Sequence, residues 1–372
     1  VRHPAPFNPT LFKFQQKGKE ACALAETVTI TAEQLRTEVQ RLLTGAGLPA
    51  EDAQVVTDTI VAATLRGVDT HGVAVLGTYL KRIRMGATNP RPNVRFVRQG
   101  PAFATIDGDS GLGALAATKG MRLAIERARE TGVFLVSGYN NTTIGAAFYY
   151  SRMAALEGMI GVAVTNAPPS MAPWGGLKPL LGTNPISVSF PRRDADPIVL
   201  DMATSAAAKS KIYLARDKGQ PIPLGWALDE KGRPTTDPEA ALKGLVMPLG
   251  GAKGYGLALT VDLLAGALSG AGCLGAVASL HHAMDRGQNV SFMLMAINPA
   301  LFSDNYFDVV EEVVRQIHEC PPAEGVSQVL LPGEVEAGVQ ARRLETGIPV
   351  PAKIVEEIRS EAAHIGLEVH FG

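Results

Sequence analysis

A histidine beside a hydroxyl, in Arg66-Gly67-Val68-Asp69-Thr70-His71-Gly72, is the arrangement in this sequence best suited to moving a proton. An unperturbed imidazole titrates near ~6.5, so at neutral pH it can both take and give one. Seven histidines occur in the chain: His3, His364 and His370 lie in the tails, while the His281-His282 pair and His318 fall in segments that read as surface or connector. His71 is therefore the candidate acid/base, with Thr70 next to it. The competing reading is a histidine that caps or packs a helix end.

Three further stretches suit a polar ligand. Pro173-Trp174-Gly175-Gly176, followed by Leu181-Gly182-Thr183-Asn184-Pro185, brings small residues, free backbone N–H groups and an amide next to a strand. Asp201-Met202-Ala203-Thr204-Ser205 aims a carboxylate and two hydroxyls off the end of another. Gly250-Gly251-Ala252-Lys253-Gly254-Tyr255-Gly256 presents a lysine where a helix opens, and backbone N–H groups with a cation suit an anion such as a pyrophosphate. Each also reads as a turn that uses glycine and proline for backbone reasons; the three together point to a site. Asp201 has a second possible use, since a carboxylate bonded to an imidazole fixes its tautomer and raises its basicity, which would tune His71. The alternative is an N-cap ahead of Thr204.

A dinucleotide fold of the common kind does not follow from these glycines. The GxGxxG fingerprint must leave a strand, open a helix and be followed by an acid some ~20 residues on. Gly108, Gly111 and Gly113 are misspaced, and Gly266, Gly270 and Gly272 close a helix. There is no Walker A lysine pattern, so a nucleotide would bind by other means.

The elements that must position these residues divide the chain. Residues 1–27 read as an extension. Residues 28–100 form a helical unit: Thr31 with Gln34 predicts a capping box, a second helix starts after Pro49, and Leu76, Tyr79, Leu80 and Ile83 mark a third, with His71 at a corner. From Ala102 strand and helix signals alternate, including Ile160–Val164, Ile186–Phe190, Ile198–Leu200, Val290–Ile297 and a short run at Val329–Leu331, which predicts an α/β or α+β body over residues 101–345. Residues 346–372 carry a helix expected to fold back on the first unit.

Composition narrows the classes. A length of 372 residues is enough for two or three domains at ~100–200 residues each. With 46% hydrophobic residues, 19% charged and a net charge of −1, neither a disordered chain nor a polybasic nucleic-acid binder is indicated, so the expected partners are small molecules or further copies of the chain. Cys22, Cys273 and Cys320 are far apart and suggest neither a metal site nor a disulfide framework, as in a reducing cytoplasm. No apolar run approaches the ~18 residues of a membrane span, and no signal peptide is evident.

Six segments in this order, Val68-Asp69-Thr70-His71-Gly72, Ala172-Pro173-Trp174-Gly175-Gly176, Gly182-Thr183-Asn184-Pro185, Leu200-Asp201-Met202-Ala203-Thr204-Ser205, Lys253-Gly254-Tyr255-Gly256 and Leu331-Pro332-Gly333-Glu334, give the chain its resemblance to the malate/L-lactate dehydrogenase family distinct from the Rossmann-type enzymes. That family includes sulfolactate and ureidoglycolate dehydrogenases, diketogulonate reductase and piperideine-2-carboxylate reductase. The resemblance runs from about Val28 to Leu367. It implies a non-Rossmann NAD(P)-binding fold of the malate/L-sulfolactate dehydrogenase type with a helical N-terminal unit, a homodimer with the site near the subunit boundary, and hydride transfer between NAD or NADP and C2 of a small 2-hydroxy/2-oxo acid. By resemblance His71 exchanges the proton on the substrate oxygen, Thr70 hydrogen-bonds that oxygen, and Asp201, Met202 and Ala203 line the cofactor. Lys253 would reach its phosphates, with Gly333 and Glu334 nearby, and Thr183 and Asn184 would hold the nicotinamide side.

Two departures stand out. Many relatives have an arginine three residues after the His-Gly pair, where it grips the substrate carboxylate; here Val75 stands there. Where the family's Asn-x-x-His-x-Gly stretch has a second histidine, this chain has Thr143. Lys81, Arg82, Lys209 and Lys211 are candidate replacement cations, or solvated surface charges. The departures keep open a cofactor-binding homologue that has lost catalysis, and a neighbouring alternative is reduction of a cyclic imino acid by NADPH.

Overall fold

Strand β1 (Thr27–Ile30) runs into a reciprocal cap, in which Thr31 Oγ1 accepts the Gln34 N–H at 3.1 Å and the Gln34 side chain accepts the Thr31 N–H at 2.8 Å. Two donors that a helix start leaves unpaired are thereby satisfied. Helix α1 (Ala32–Gly45) follows and buries Leu35, Val39, Leu42 and Leu43, and α2 (Ala50–Leu65) starts directly after Pro49. Two single 3-10 turns, Asp69–His71 and Val73–Val75, lead into α3 (Leu76–Arg84). The computed structural model describes residues 27–371. Of the extension expected over residues 1–27, only Thr27 falls within them, as the first residue of β1.

The central body takes up β2 (Arg95–Gln99), β3 (Phe103–Asp107), α4 (Gly113–Thr131), β4 (Val133–Asn141), α5 (Phe148–Leu156), β5 (Ile160–Thr165), β6 (Ile186–Phe190) and β7 (Ile198–Met202). A small insertion then contains α6 (Lys209–Asp217), β8 (Ala227–Leu228), β9 (Pro234–Thr235), α7 (Pro238–Lys243) and β10 (Leu245–Val246), its three strands forming a sheet of their own. Helix α8 (Ala252–Asp262) continues as one π-helical stretch to Ala267, and β11 (Val290–Ile297) returns to the main sheet. The chain ends in α9 (Tyr306–His318), α10 (Glu334–Thr346), β12 (Ile348–Pro351) and α11 (Ala352–Ala363).

The main sheet has seven strands in the order β2-β3-β4-β11-β5-β6-β7, antiparallel throughout except for the β3/β4 pair. A doubly wound dinucleotide sheet is parallel, so the failed glycine fingerprint and the topology agree. On one face Ala117, Met121 and Ala124 of α4 and Tyr150 and Ala154 of α5 pack on Phe134, Val136, Phe292 and Leu294. On the other, Val261 of α8 meets Val164 and Met293. The chain is mixed α/β, with β1 paired to β12 and one apolar core joining α1, α2, α3 and α11.

The strand expected at Val329–Leu331 is not one. This segment runs beside the edge strand β7 but makes a single backbone bond to it, Val199 N–H to the Pro332 carbonyl at 2.9 Å, and the Leu331 N–H is taken by the Glu334 carboxylate at 2.8 Å. Pro332 has no N–H with which to continue a ladder. Among the described residues no helix is long and apolar enough to cross a membrane.

Candidate active site

The His71 turn is fixed by its neighbours in sequence. Val73 N–H donates to Thr64 Oγ1 at 2.8 Å, and Thr64 Oγ1 donates on to the Ile60 carbonyl at 2.8 Å, so the turn lies flat against the end of α2. A Cβ at Gly72 would come within 2.4 Å of Thr64 Oγ1 and 2.9 Å of its backbone; only glycine permits that approach. Asp69 adds an ion pair to Arg343 of α10 at 2.6 Å, while Arg343 also donates to the Thr64 carbonyl. Thr70 and His71 remain exposed, and neither side chain has a hydrogen-bond partner among the described residues. The imidazole is accessible yet deeply surrounded by protein, and this burial pushes its pKa below the ordinary value.

Asp201 is carried to the same region by shared packing. Val68, three residues before His71, packs on a cluster of Ala63, Ala146, Phe148 and Val199, and Val199 lies two residues before Asp201 on the same face of β7. The Asp201 carboxylate accepts the Phe148 N–H at the start of α5. It retains accessible surface, but protein around it pushes its pKa up to about 7, with Glu336 adding to the shift and the Phe148 N–H and Arg66 opposing it. Both groups are thus accessible at the surface and shifted by the protein around them. The expected Asp201–His71 bond is not made within the chain, and Asp201 lies inside a strand, so it is not an N-cap either.

The glycine-rich stretches converge on the end of that strand. Thr204 donates its N–H and its hydroxyl to the Thr183 carbonyl, and Leu249 N–H donates to the Thr204 carbonyl, all at 2.9 Å. Pro248 bridges Ser205, and the next turn, with Gly250 and Gly251 at φ 59° and 70°, opens α8. Trp174 lies against this turn: a Cβ at Gly251 would stand 3.0 Å from its ring. Lys253 projects from the first turn of α8, exposed and without an ion-pair partner among the described residues. Positive backbone ends and a free cation at one exposed turn fit a phosphate-bearing cofactor. Met202 and Ala203 are half-buried between Asp201 and this frame, and the Thr183 hydroxyl is likewise half-buried.

Asn184 has a different post. Its side chain is wholly buried, accepting the Ala167 N–H at 3.0 Å and donating to the Ala258 carbonyl at 2.9 Å, so both ends of the amide are committed to shaping the loop. Gly333 and Glu334 line a cavity of about 440 Å3 with Arg192, His318 and Gln328, which neither His71, Asp201 nor Lys253 reaches. Its charges are paired: Glu334 meets His318 at 2.9 Å and Arg192 meets Glu311 at 2.9 Å. The Gly333 carbonyl accepts Arg66 Nη2 at 3.1 Å.

Arg66 is a residue the sequence reading passed over. Buried at the end of α2, it also reaches Asp196 at 3.2 Å and Gln340 at 3.3 Å, and its guanidinium lies 5.5 Å above the Phe148 ring. It joins the segments carrying His71, Asp201 and Gly333, and no local pattern announces such a role. Of the four candidate cations, Arg82 is unavailable: fully buried, it donates to the carbonyls of Ala87, Leu280, Ala283 and Arg286 and to Thr88 Oγ1. Lys211 stands 6.0 Å over the Trp226 ring, Lys209 is exposed and Lys81 half-exposed. Val75 faces the core. Among the described residues no group of three His, Cys, Asp or Glu side chains could hold a metal ion.

Comparison with known proteins places this architecture. The malate dehydrogenase of Pyrococcus horikoshii is 38% identical over 351 residues, 92% of this chain and 96% of that protein. The solved sulfolactate dehydrogenase from Methanocaldococcus jannaschii superposes with a TM-score of 0.86 at 36% identity, covering 92% of this chain and 98% of that one. The delta1-piperideine-2-carboxylate reductase from Pseudomonas syringae does so at 0.81 and 29% identity, over 90% and 99%. Residues 30–359 match the family model described as malate/L-lactate dehydrogenase, and the chain belongs to that family.

Proposed function

We propose that the protein is an NAD(P)-dependent oxidoreductase of small 2-hydroxy/2-oxo acids. The observation that carries this reading is the joining of an accessible, unpartnered imidazole and the Asp201 strand end through one apolar cluster, with the Thr183, Thr204 and Lys253 loops hydrogen-bonded together beside it. The bound nicotinamide would supply or accept the hydride at C2 of the substrate. His71 takes the hydroxyl proton in oxidation and returns it in reduction, and its depressed pKa keeps it in the basic form at neutral pH. Thr70 positions the same oxygen. Lys253 and the N–H groups at the head of α8 hold the cofactor phosphates, and Asp201, Met202, Ala203 and Thr183 line its path. Asn184, Gly333 and Glu334 support the walls.

A second reading, reduction of a cyclic imino acid, draws on the likeness to a piperideine-2-carboxylate reductase. Following nicotinamide absorbance with NADH and NADPH against pyruvate, oxaloacetate and piperideine-2-carboxylate separates the two. Turnover of only the imine moves the assignment to the second reading; tight NAD(P)H binding without any turnover favours a cofactor-binding homologue. We also propose a homodimer: Leu263, Leu264 and Leu268 are 49%, 37% and 50% exposed along the end of the α8 helix, an apolar strip suited to a second copy. Light scattering reads the mass.

A further inference from the structure

The Arg82 guanidinium is fully buried with no carboxylate beside it among the described residues, and its five acceptors lie in two places. Ala87 and Thr88 are local to the end of α3. Leu280, Ala283 and Arg286 belong to the segment between α8 and β11, which is thereby clamped onto α3. Thr88 Oγ1 continues to Thr142 Oγ1 at 2.9 Å, and the Thr143 N–H is held by the Gln288 side chain at 2.9 Å, so the same segment is tied at its far end to the Thr142-Thr143 turn. An arginine in this setting fixes backbone position, because moving any of these carbonyls strands a buried donor.

What the clamp presents is His281. It directly follows Leu280, whose carbonyl Arg82 holds at 3.1 Å, and its Nδ1 lies 3.3 Å from Thr78 Oγ1. Between the His71 turn and Thr78, Val73, Val75, Leu76 and Gly77 are buried, and Ala74 and Thr78 are the accessible positions. Thr78 lies six residues beyond Gly72, roughly 10 Å along the run at the ~1.5–2.0 Å rise of α and 3-10 helix. Two hydrogen bonds of ~2.8 Å and the length of a four-carbon acid span such an interval. With Nδ1 accepting the Thr78 hydroxyl, the ring proton sits on Nε2, a donor facing solvent. Surrounding protein, His282 and Arg82 push the His281 pKa down, against the pull of Glu357, which keeps the ring neutral near pH 7.

We propose that His281, presented by the Arg82 clamp and oriented by Thr78, donates a hydrogen bond to a distal anionic group of the substrate, and so selects 2-hydroxy/2-oxo diacids over monoacids. This rests on the dehydrogenase reading and adds the substrate class to it. It also gives a polar function to the helix on which Val75 supplies none.

Steady-state kinetics on oxaloacetate and pyruvate in wild type, His281→Ala and His281→Gln test it. His281→Ala is expected to raise KM for oxaloacetate about tenfold with kcat within about twofold, the scale of one hydrogen bond to a charged group. KM for pyruvate stays in place, and His281→Gln, which keeps an N–H donor, recovers most of the loss. Equal changes on both substrates, or none on either, overturn the proposal. Absence of wild-type turnover on both would instead count against the dehydrogenase reading, and calorimetry then decides the His281 contact directly. Malate titrated into NADH-loaded wild type and His281→Ala should bind about tenfold more weakly to the variant, with lactate unaffected; equal malate affinities overturn the contact.

Discussion

Thr204 donates both its backbone N–H and its hydroxyl to the carbonyl of Thr183, each at 2.9 Å. Twenty-one residues of sequence, including two strands of the main sheet, separate them. The double bond makes the loop before β6 and the loop after β7 one body, and Leu249 adds the turn that opens α8. A ligand held by these loops meets a frame rather than three independent segments, which lowers the ordering cost of binding.

Asn184 braces that frame from inside. Asn184→Ala removes the acceptor of the half-buried Ala167 N–H and one of the donors to the Ala258 carbonyl, which keeps its helical bond, and the expected cost is ~1–2 kcal/mol of stability. Urea unfolding monitored by circular dichroism gives this value directly. A loss below ~0.5 kcal/mol would mean that water replaces the amide and the loop does not depend on it.

Removing the imidazole should separate binding from chemistry. His71→Ala is expected to lower turnover by ~10²–10⁴ while NAD(P)H affinity, followed by nicotinamide fluorescence, stays near wild type. Near-normal turnover removes His71 from the mechanism.

The pH dependence follows from the direction of the His71 shift. Its pKa lies below the ordinary value, so the basic form needed to oxidise a hydroxy acid persists below pH ~6.5. In kcat/KM for oxidation, the acidic limb is expected beneath that value, and it should vanish from the residual activity of His71→Ala. An acidic limb centred above pH ~7 would show that another group controls the step.

Lys253 is predicted to act on the cofactor alone. Lys253→Ala should weaken NAD(P)H binding about tenfold, with the remaining affinity less sensitive to salt, and should leave the melting temperature unchanged because the side chain is exposed. Unaltered affinity would move the phosphates elsewhere.

Asp201 ties stability to pH. Its folded pKa of about 7 stands above the ordinary ~3.9, so the folded protein holds an extra proton between these values. The stability it contributes is full below the unfolded value and is lost as pH rises through about 7. Asp201→Asn, which mimics the protonated form, should therefore gain melting temperature relative to wild type as the pH is raised from 4.5 to 8. A constant difference would show that the carboxyl titrates normally.

The elements that depend on neighbouring residues were readable from the chain. The Thr31/Gln34 cap, the start of α2 after Pro49, the α3 stripe and the β5, β6, β7 and β11 runs appear where apolar spacing and capping side chains predict them. β2, with its exposed Arg95, Arg98 and Gln99, gives no apolar alternation and went unread, as did the two-residue strands of the insertion. Val329–Leu331 has strand composition without a strand's partners.

His71, Thr70, the Asp201 strand end, the glycine-rich turn and Lys253 are set by side-chain type and local spacing, which the sequence carries in full. Their arrangement depends on contacts between residues far apart in the chain: Val68 with Val199, Thr204 with Thr183, Trp174 against Gly251, Arg66 reaching Gly333. A buried amide such as Asn184 and an exposed one are the same letter, and so are a solvated arginine and the Arg82 that clamps the His281 segment. Only packing decides which polar group is consumed inside the protein and which is left free to meet a substrate.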